Sequence, residues 1–226
     1  MVSFNLNTAF TQQDLERFFA SGSNVVVAKP NNGGAPNVNW VVFRPLIKNS
    51  MSWEENYGIY ASNTDLISGG VLNQMSQTPY PAVPAALYTI QPSGAFTGPA
   101  GTRPPGSYYA LNSYNNLPKG VLTVGLFQNA EVNGDAVKGN AVSAAQVLYN
   151  STAEITPYTN VYLWVQSQVV SNSVVTKVTS PQTQVTFGGS VTSVSLAYDP
   201  LTGTFIPAAG TQLADGIALK YQQPAL

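Results

Sequence analysis

Short alternations of apolar and polar residues, each ended by Gly, Pro or Asn, run through most of this chain. A period of two is the signature of a strand with one face buried. The longest alternation is Tyr158–Tyr198, YTNVYLWVQSQVVSNSVVTKVTSPQTQVTFGGSVTSVSLAY, in which Lys177 is the only charged residue. Its apolar parity changes sides near Asn172 and again near Gly188-Gly189. A strand cannot exchange faces without a turn or bulge. The stretch therefore divides into predicted strands at 158–170, 174–179, 183–187 and 191–198.

Upstream, the same pattern predicts strands over 2–6, 23–28, 38–44, 51–61, 86–90, 121–127, 131–137 and 141–149, with final short strands at 204–207 and 217–221. Asn133-Gly134 is a strong signal for a two-residue hairpin turn. One segment has helical spacing instead. Thr11 stands where an N-cap belongs, Asp14 can serve the exposed first-turn N–H groups, and Phe10 and Leu15 are spaced as a staple across the cap. Leu15, Phe18 and Phe19 are predicted to share the buried face, and Gly22 suits the left-handed position that ends the helix. Residues 63–75 fit neither period, and Gly69-Gly70 argues against a long helix there. From Gln77 to Pro118 eight prolines punctuate the chain. That composition predicts an ordered, loop-rich excursion whose Tyr and Phe residues need burial or a partner.

Many short strands with turn signals between them indicate an all-β fold rather than βαβ units. The expectation is a single domain over 1–226: a mainly antiparallel sandwich or barrel-like architecture, a jelly roll being one form of it, with one short N-terminal helix and a Pro/Gly-rich loop excursion. At 226 residues the chain is long enough to bury a sizeable core.

Composition then narrows the chemistry. The chain has no Cys and no His. Disulfides, thiolate metal sites, Ser-His-Asp catalysis and histidine ligation are thereby excluded. Charged residues make up 8%, against about a quarter in an ordinary domain, and the net charge is -1. Nine scattered basic residues give no patch for a phosphate backbone, so no nucleic-acid partner is expected. The start, MVSFNLNTAFTQQDLERFF, lacks the basic and apolar regions of a signal peptide, and no run approaches the ~18 apolar residues of a spanning helix. The expected location is cytoplasmic, or outside the cell by a route without a classical signal peptide.

Three groups of residues carry candidate chemistry. Glu54 and Glu55 lie beside Trp53 and Tyr57, near Arg44 and Lys48. A carboxylate pair on an aromatic platform would suit glycoside chemistry. Consecutive strand residues, however, point to opposite faces, so the expectation is a structural cluster in which one Glu pairs with Arg44 or Lys48 and the other meets water. Tyr108, Tyr109, Asn112, Tyr114, Asn115 and Asn116 combine rings for sugar C–H faces with amides for sugar hydroxyls, which makes them a candidate glycan-binding loop. Gln166, Gln168, Lys177, Gln182 and Gln184 form a candidate self-association surface, because a neutral sheet lacks the charges that normally guard strand edges. The same stretch, with Tyr162 and Trp164 as interface anchors, also has the alternation of a membrane-inserting β-hairpin, which leaves a membrane partner open.

No cofactor motif is present: phosphate loop, dinucleotide fingerprint, nucleophile elbow and S-x-x-K are all missing from the sequence. No cofactor is expected. The leading functional expectation is a non-enzymatic β protein that associates with itself. The alternatives are a lectin-like module with glycans as partners and a β-pore-former.

Overall fold

The structure, a computed structural model, describes residues 2–116, 120–209 and 219–224. In chain order its elements are β1 (Ser3–Ala9), α1 (Gln12–Ser21), β2 (Ser23–Ala28), β3 (Val38–Asn39), β4 (Val41–Phe43), β5 (Lys48–Glu54), β6 (Gly58–Ser62), β7 (Gln74–Gln77), β8 (Leu87–Ile90), β9 (Phe96–Ala100) and β10 (Tyr108–Asn112). There follow β11 (Val121–Val132), β12 (Asp135–Ala141), β13 (Ala145–Leu148), β14 (Thr152–Ile155), β15 (Asn160–Ser167), β16 (Ser173–Val174), β17 (Gln182–Thr186), β18 (Ser193–Asp199), β19 (Thr204–Pro207) and β20 (Leu219–Gln222). The fold is an all-β sandwich with one short N-terminal helix. The predicted strand start at 217–218 lies outside the described residues.

Two sheets carry the sandwich. One runs β19-β18-β1-β5-β11-β6-β7, with β12 and β13 also paired to the long β11; the other runs β20-β17-β15-β2-β4. A four-stranded sheet, β14-β10-β8-β9, and the β16-β3 pair complete the set. Pairing is antiparallel except for β1 with β18 and β8 with β10. One apolar cluster joins Phe4, Leu6 and Met51 of the first sheet to Val25, Leu163 and Val185 of the second and to Ile90 and Ala110 of the third.

The local patterns have clear physical outcomes. β5 alternates buried and exposed residues along its length, as a strand covered on one face must. β2 reads VVVA because it is covered on both faces: Val25 and Val27 enter the main core, while Val26 and Ala28 pack with Trp164 and Val175. The parity flips of 158–198 mark changes of sheet. β15 and β17 pair with each other, β16 leaves to join β3, and β18 lies parallel to β1. The segment 38–44 likewise splits at Trp40, whose carbonyl accepts from the side chain of Asn140 in β12, Nδ2 at 2.7 Å. The Asn133-Gly134 turn has positive φ at both residues, 54° and 92°, which is the type I′ hairpin its sequence predicts.

Several expectations need correction: β11 runs unbroken across the division predicted between 121–127 and 131–137, the strand predicted over 51–61 is parts of β5 and β6, and of 174–179 only Val174 is in a strand. The excursion after Gln77 contains β9 and β10 as well as β8, and these build most of the four-stranded sheet. Pro99 is tolerated in β9 because that strand is an edge, where a missing N–H costs no ladder bond. In α1, the Thr11–Asp14 capping box and the left-handed Gly22 are present as predicted. Phe18 is buried against Phe10 and Tyr198, whereas Phe19 is 72% exposed. Adjacent helical residues are about 100° apart, and the helix meets the sandwich on a stripe too narrow for both rings.

Candidate functional site

Lys29 ends the apolar run of β2 and is only 2% exposed. Its Nζ donates to Glu55 Oε1 at 2.9 Å and to the Tyr57 hydroxyl at 2.6 Å. Tyr57 donates onward to Glu55 Oε2 at 2.6 Å, and Trp53 Nε1 donates to Glu55 Oε1 at 3.1 Å. The ammonium also lies 4.9, 5.2 and 5.7 Å from the ring centroids of Tyr57, Trp40 and Trp53. Aromatic faces replace part of the hydration a buried cation loses. Burial nevertheless pulls the Lys29 pKa from 10.5 down to about 8, against the opposing pull of Glu55. Burial and the Glu55 charge push the phenols the other way: Tyr57 is raised well above its usual value, and Tyr108 to about 12. Chemically this is a closed hub. Each Glu55 oxygen has a donor, and the amine is out of reach of solutes, so the hub anchors the β5–β6 turn to β2.

The expected partners of the glutamates are therefore replaced. Glu55 pairs with Lys29, not with Arg44 or Lys48, and Glu54 is exposed with Asn56 Nδ2 at 2.9 Å. Lys48 and Glu54 stand at opposite ends of β5, about 20 Å apart at ~3.3 Å per residue. Arg44 instead lays its guanidinium 4.2 Å from the centre of the Phe19 ring. Trp53, a member of the expected cluster, does take part through its indole N–H. Lys29 escaped sequence reasoning because a lysine after a strand reads as the first residue of a solvated loop; the four-residue apolar run before it was the available signal.

The candidate glycan residues are split by the fold. Tyr108, Tyr109 and Asn112 lie in β10 and are buried. Tyr108 meets Tyr57 edge-on at 5.9 Å, while the Tyr109 hydroxyl donates to Glu154 at 3.0 Å. Asn112 Nδ2 donates to the Val147 carbonyl at 3.0 Å, and its Oδ1 accepts from the Tyr114 N–H at 3.0 Å. Tyr114 is half-buried, and Asn115 and Asn116 are exposed.

The five residues of the candidate self-association surface also separate. Gln182 and Gln184 are each 8% exposed and sit in β17 between β15 and β20. Gln166, Gln168 and Lys177 come together around a pocket of about 230 Å³ with Asn39 and Ser173. Tyr162 and Trp164, the suggested membrane anchors, are buried in the folded chain.

Several sheet edges are closed without charge. The Val42 N–H of edge strand β4 donates to Ser171 Oγ at 2.9 Å. On edge strand β19, the Phe205 N–H donates to Thr183 Oγ1 at 2.8 Å, and the same hydroxyl donates to the Phe205 carbonyl at 3.2 Å. The Ala141 N–H at the end of β12 donates to Asn172 Oδ1 at 2.7 Å. Neutral hydroxyls and amides thus perform the guarding that lysines do elsewhere.

Exposed apolar residues gather beside β4. Phe19 is 72% exposed, and Leu46 and Ile47 are each 53% exposed. Phe19, Arg44 and Pro45 border one small hollow, and Arg44 and Leu46 border a second of about 470 Å³ reaching Asp135. Phe19, Arg44 and Leu46 therefore border adjoining hollows on this face. No family model, curated protein or solved structure matches this chain. Among the described residues no helix is long and apolar enough to cross a membrane, and no cluster of three Asp or Glu could hold a metal ion.

Proposed function

We propose that this protein acts by association with a second copy of itself, without catalysis, through the face that carries Phe19 and residues 44–47. The observation that carries this reading is the exposure of Phe19, Leu46 and Ile47 on adjoining segments. Single exposed apolar residues are ordinary, whereas a contiguous patch rimmed by polar groups marks an interaction surface. Here the rim is Arg44, Lys48 and Asn133. Exposed side chains beside hollows on the same face are self-complementary, which is what a two-fold dimer requires of its single repeated patch. The low charge content favours a like partner: with 8% charged residues and a net charge of -1, two copies meet little repulsion. A stable dimer needs about 800 Å² from each partner, so the hollows must be covered as well as the exposed side chains.

Sedimentation equilibrium over a wide concentration range tests the proposal. The expected result is a concentration-dependent dimer mass for the natural chain and a monomer for the Leu46→Glu/Ile47→Glu double variant, with unchanged thermal stability. A natural chain that stays monomeric at every concentration would end it.

A further inference from the structure

The larger hollow on the Phe19 face lies between two sheet edges. Strand β4 ends the second sheet, and β12 pairs with β11 alone among the described strands. Asn140 Nδ2 ties the two edges together by donating to the Trp40 carbonyl at 2.7 Å. Beyond that tie the hollow of about 470 Å³ opens, with Val42, Phe43 and Val137, all half-buried, among its walls. Its volume falls within the range of sites that enclose a small molecule. The β4 edge cannot take an added strand at Val42, whose N–H is already given to Ser171 Oγ at 2.9 Å. A side chain, not a strand, suits that wall.

Two opposite charges border the same hollow, Arg44 and Asp135, and both are exposed. Neither is in an ion pair: among the described residues the one such pair is Lys29 with Glu55. The Arg44 guanidinium lies 4.2 Å from the centre of the Phe19 ring, so ring and cation travel as one unit. Phe19 borders the smaller hollow with Arg44 and does not border this one. Each copy thus carries a plug, Phe19 capped by Arg44, beside a socket whose rim bears Asp135. A copy's own plug leaves its own socket unfilled.

Resting on the self-association proposed above, we infer that Phe19 of each copy seats in the hollow between β4 and β12 of the other, which brings each Arg44 to the other copy's Asp135. A two-fold axis passing near Leu46, which is exposed and borders the hollow, makes both contacts at once. Each ring so placed removes about 150–250 Å² from water. The charges supply register. A copy docked with the wrong offset sets Arg44 against Arg44 or Lys48, and like charges so placed repel. Arg44 and Asp135 are therefore the pair that determines which face a second copy accepts and in which orientation.

The test is sedimentation of two charge reversals, Arg44→Glu and Asp135→Arg, alone and mixed. Each variant alone sets like charges against each other twice across the two-fold contact, so its dimerisation should weaken about a hundredfold, tenfold per contact. In an equal mixture every contact again joins an acid to a base, and a heterodimer should form within about tenfold of the natural affinity. Both side chains are exposed, so the melting curves should match that of the natural chain. A natural chain that dimerises while the mixture stays monomeric overturns the inference and leaves the self-association standing. A natural chain that never dimerises ends both. Single variants that dimerise as tightly as the natural chain also overturn the inference. Photoreactive benzoylphenylalanine in place of Phe19 reads the seat directly. It should cross-link to residues 132–137 of the other copy, identified by mass in a mixture of labelled and unlabelled chains, and interchain cross-links confined to other segments overturn the seat.

Discussion

Stability against alkaline pH is the sharpest consequence of the Lys29 hub. In the unfolded chain this lysine titrates at its ordinary 10.5, whereas in the fold it titrates at about 8. Between those values the unfolded state holds a proton that the folded state has lost, so raising the pH stabilises the fold by about 1.4 kcal/mol per unit. Across the whole interval the gain is about 3 kcal/mol, a sizeable share of a domain's net stability. Below the folded pKa both states are protonated, and Lys29 makes no contribution that changes with pH. The tyrosines act in the opposite sense. Tyr57 and Tyr108 are held above 10.0 in the fold, so the unfolded chain loses those protons first and stability falls above that pH. The predicted profile is level near neutrality, rises above about pH 8, crests near pH 10 and then declines. The window is unusually clean, because the chain has no His or Cys to titrate inside it. Urea unfolding at a series of pH values, followed by tryptophan fluorescence, measures the profile directly, since Trp40 and Trp53 flank the amine. In Lys29→Met the rise between pH 8 and 10 should vanish while the decline above it persists. A natural chain whose stability is flat or falling over that interval refutes the account of the hub, as does a Lys29→Met variant that keeps the rise.

Glu55→Gln leaves the buried ammonium with only the Tyr57 hydroxyl as a strong partner. It should cost about 3–5 kcal/mol at neutral pH, by chemical denaturation, with the loss shrinking as the pH rises through about 8, where Lys29 discharges in the natural fold, and level above that. Gly125→Ala would place a Cβ 1.9 Å from the Ser143 carbonyl oxygen and 2.7 Å from Tyr60 Cε1. Backbone must shift to admit it, so a loss of about 3 kcal/mol or more is expected in a melting curve; an unchanged midpoint would contradict the close packing of β11. Thr183→Val removes both bonds to Phe205 and should cost about 2 kcal/mol. It also opens the β19 edge, so faster aggregation by light scattering is expected, and a variant as stable and clear as the natural chain would argue against neutral edge-guarding.

Much of the fold was legible in the chain because strand period, capping and turn chemistry act over a few residues. The Thr11–Asp14 box and the Asn133-Gly134 hairpin each depend on neighbours within reach of a single turn, whereas of the strand predicted over 174–179 only Val174 is in one. The candidate sites were less legible. Phe19 read as a core residue because helical spacing groups it with Leu15, and only the narrow contact of α1 with the sandwich shows that it faces out. Arg44 and Lys48 were credible partners for the glutamates until the extended length of β5 put Lys48 at its far end. Gln166 and Lys177 read as an open face, yet the floor of their pocket is Asn39, bonded to Ser173 across 134 positions of sequence.

The sequence by itself determined that this is a charge-poor, all-β chain without histidine or cysteine chemistry. A period of two states that one face of a strand is covered. It does not state by what. The tertiary structure alone decided that β18 runs parallel to β1, that Lys29 is enclosed by three rings and Glu55, and that edges lacking charge are closed by Ser171, Asn172 and Thr183. Each of those facts is a pairing between segments far apart in the chain, and the energy of such a pairing depends on which surfaces meet in three dimensions rather than on either segment's own pattern.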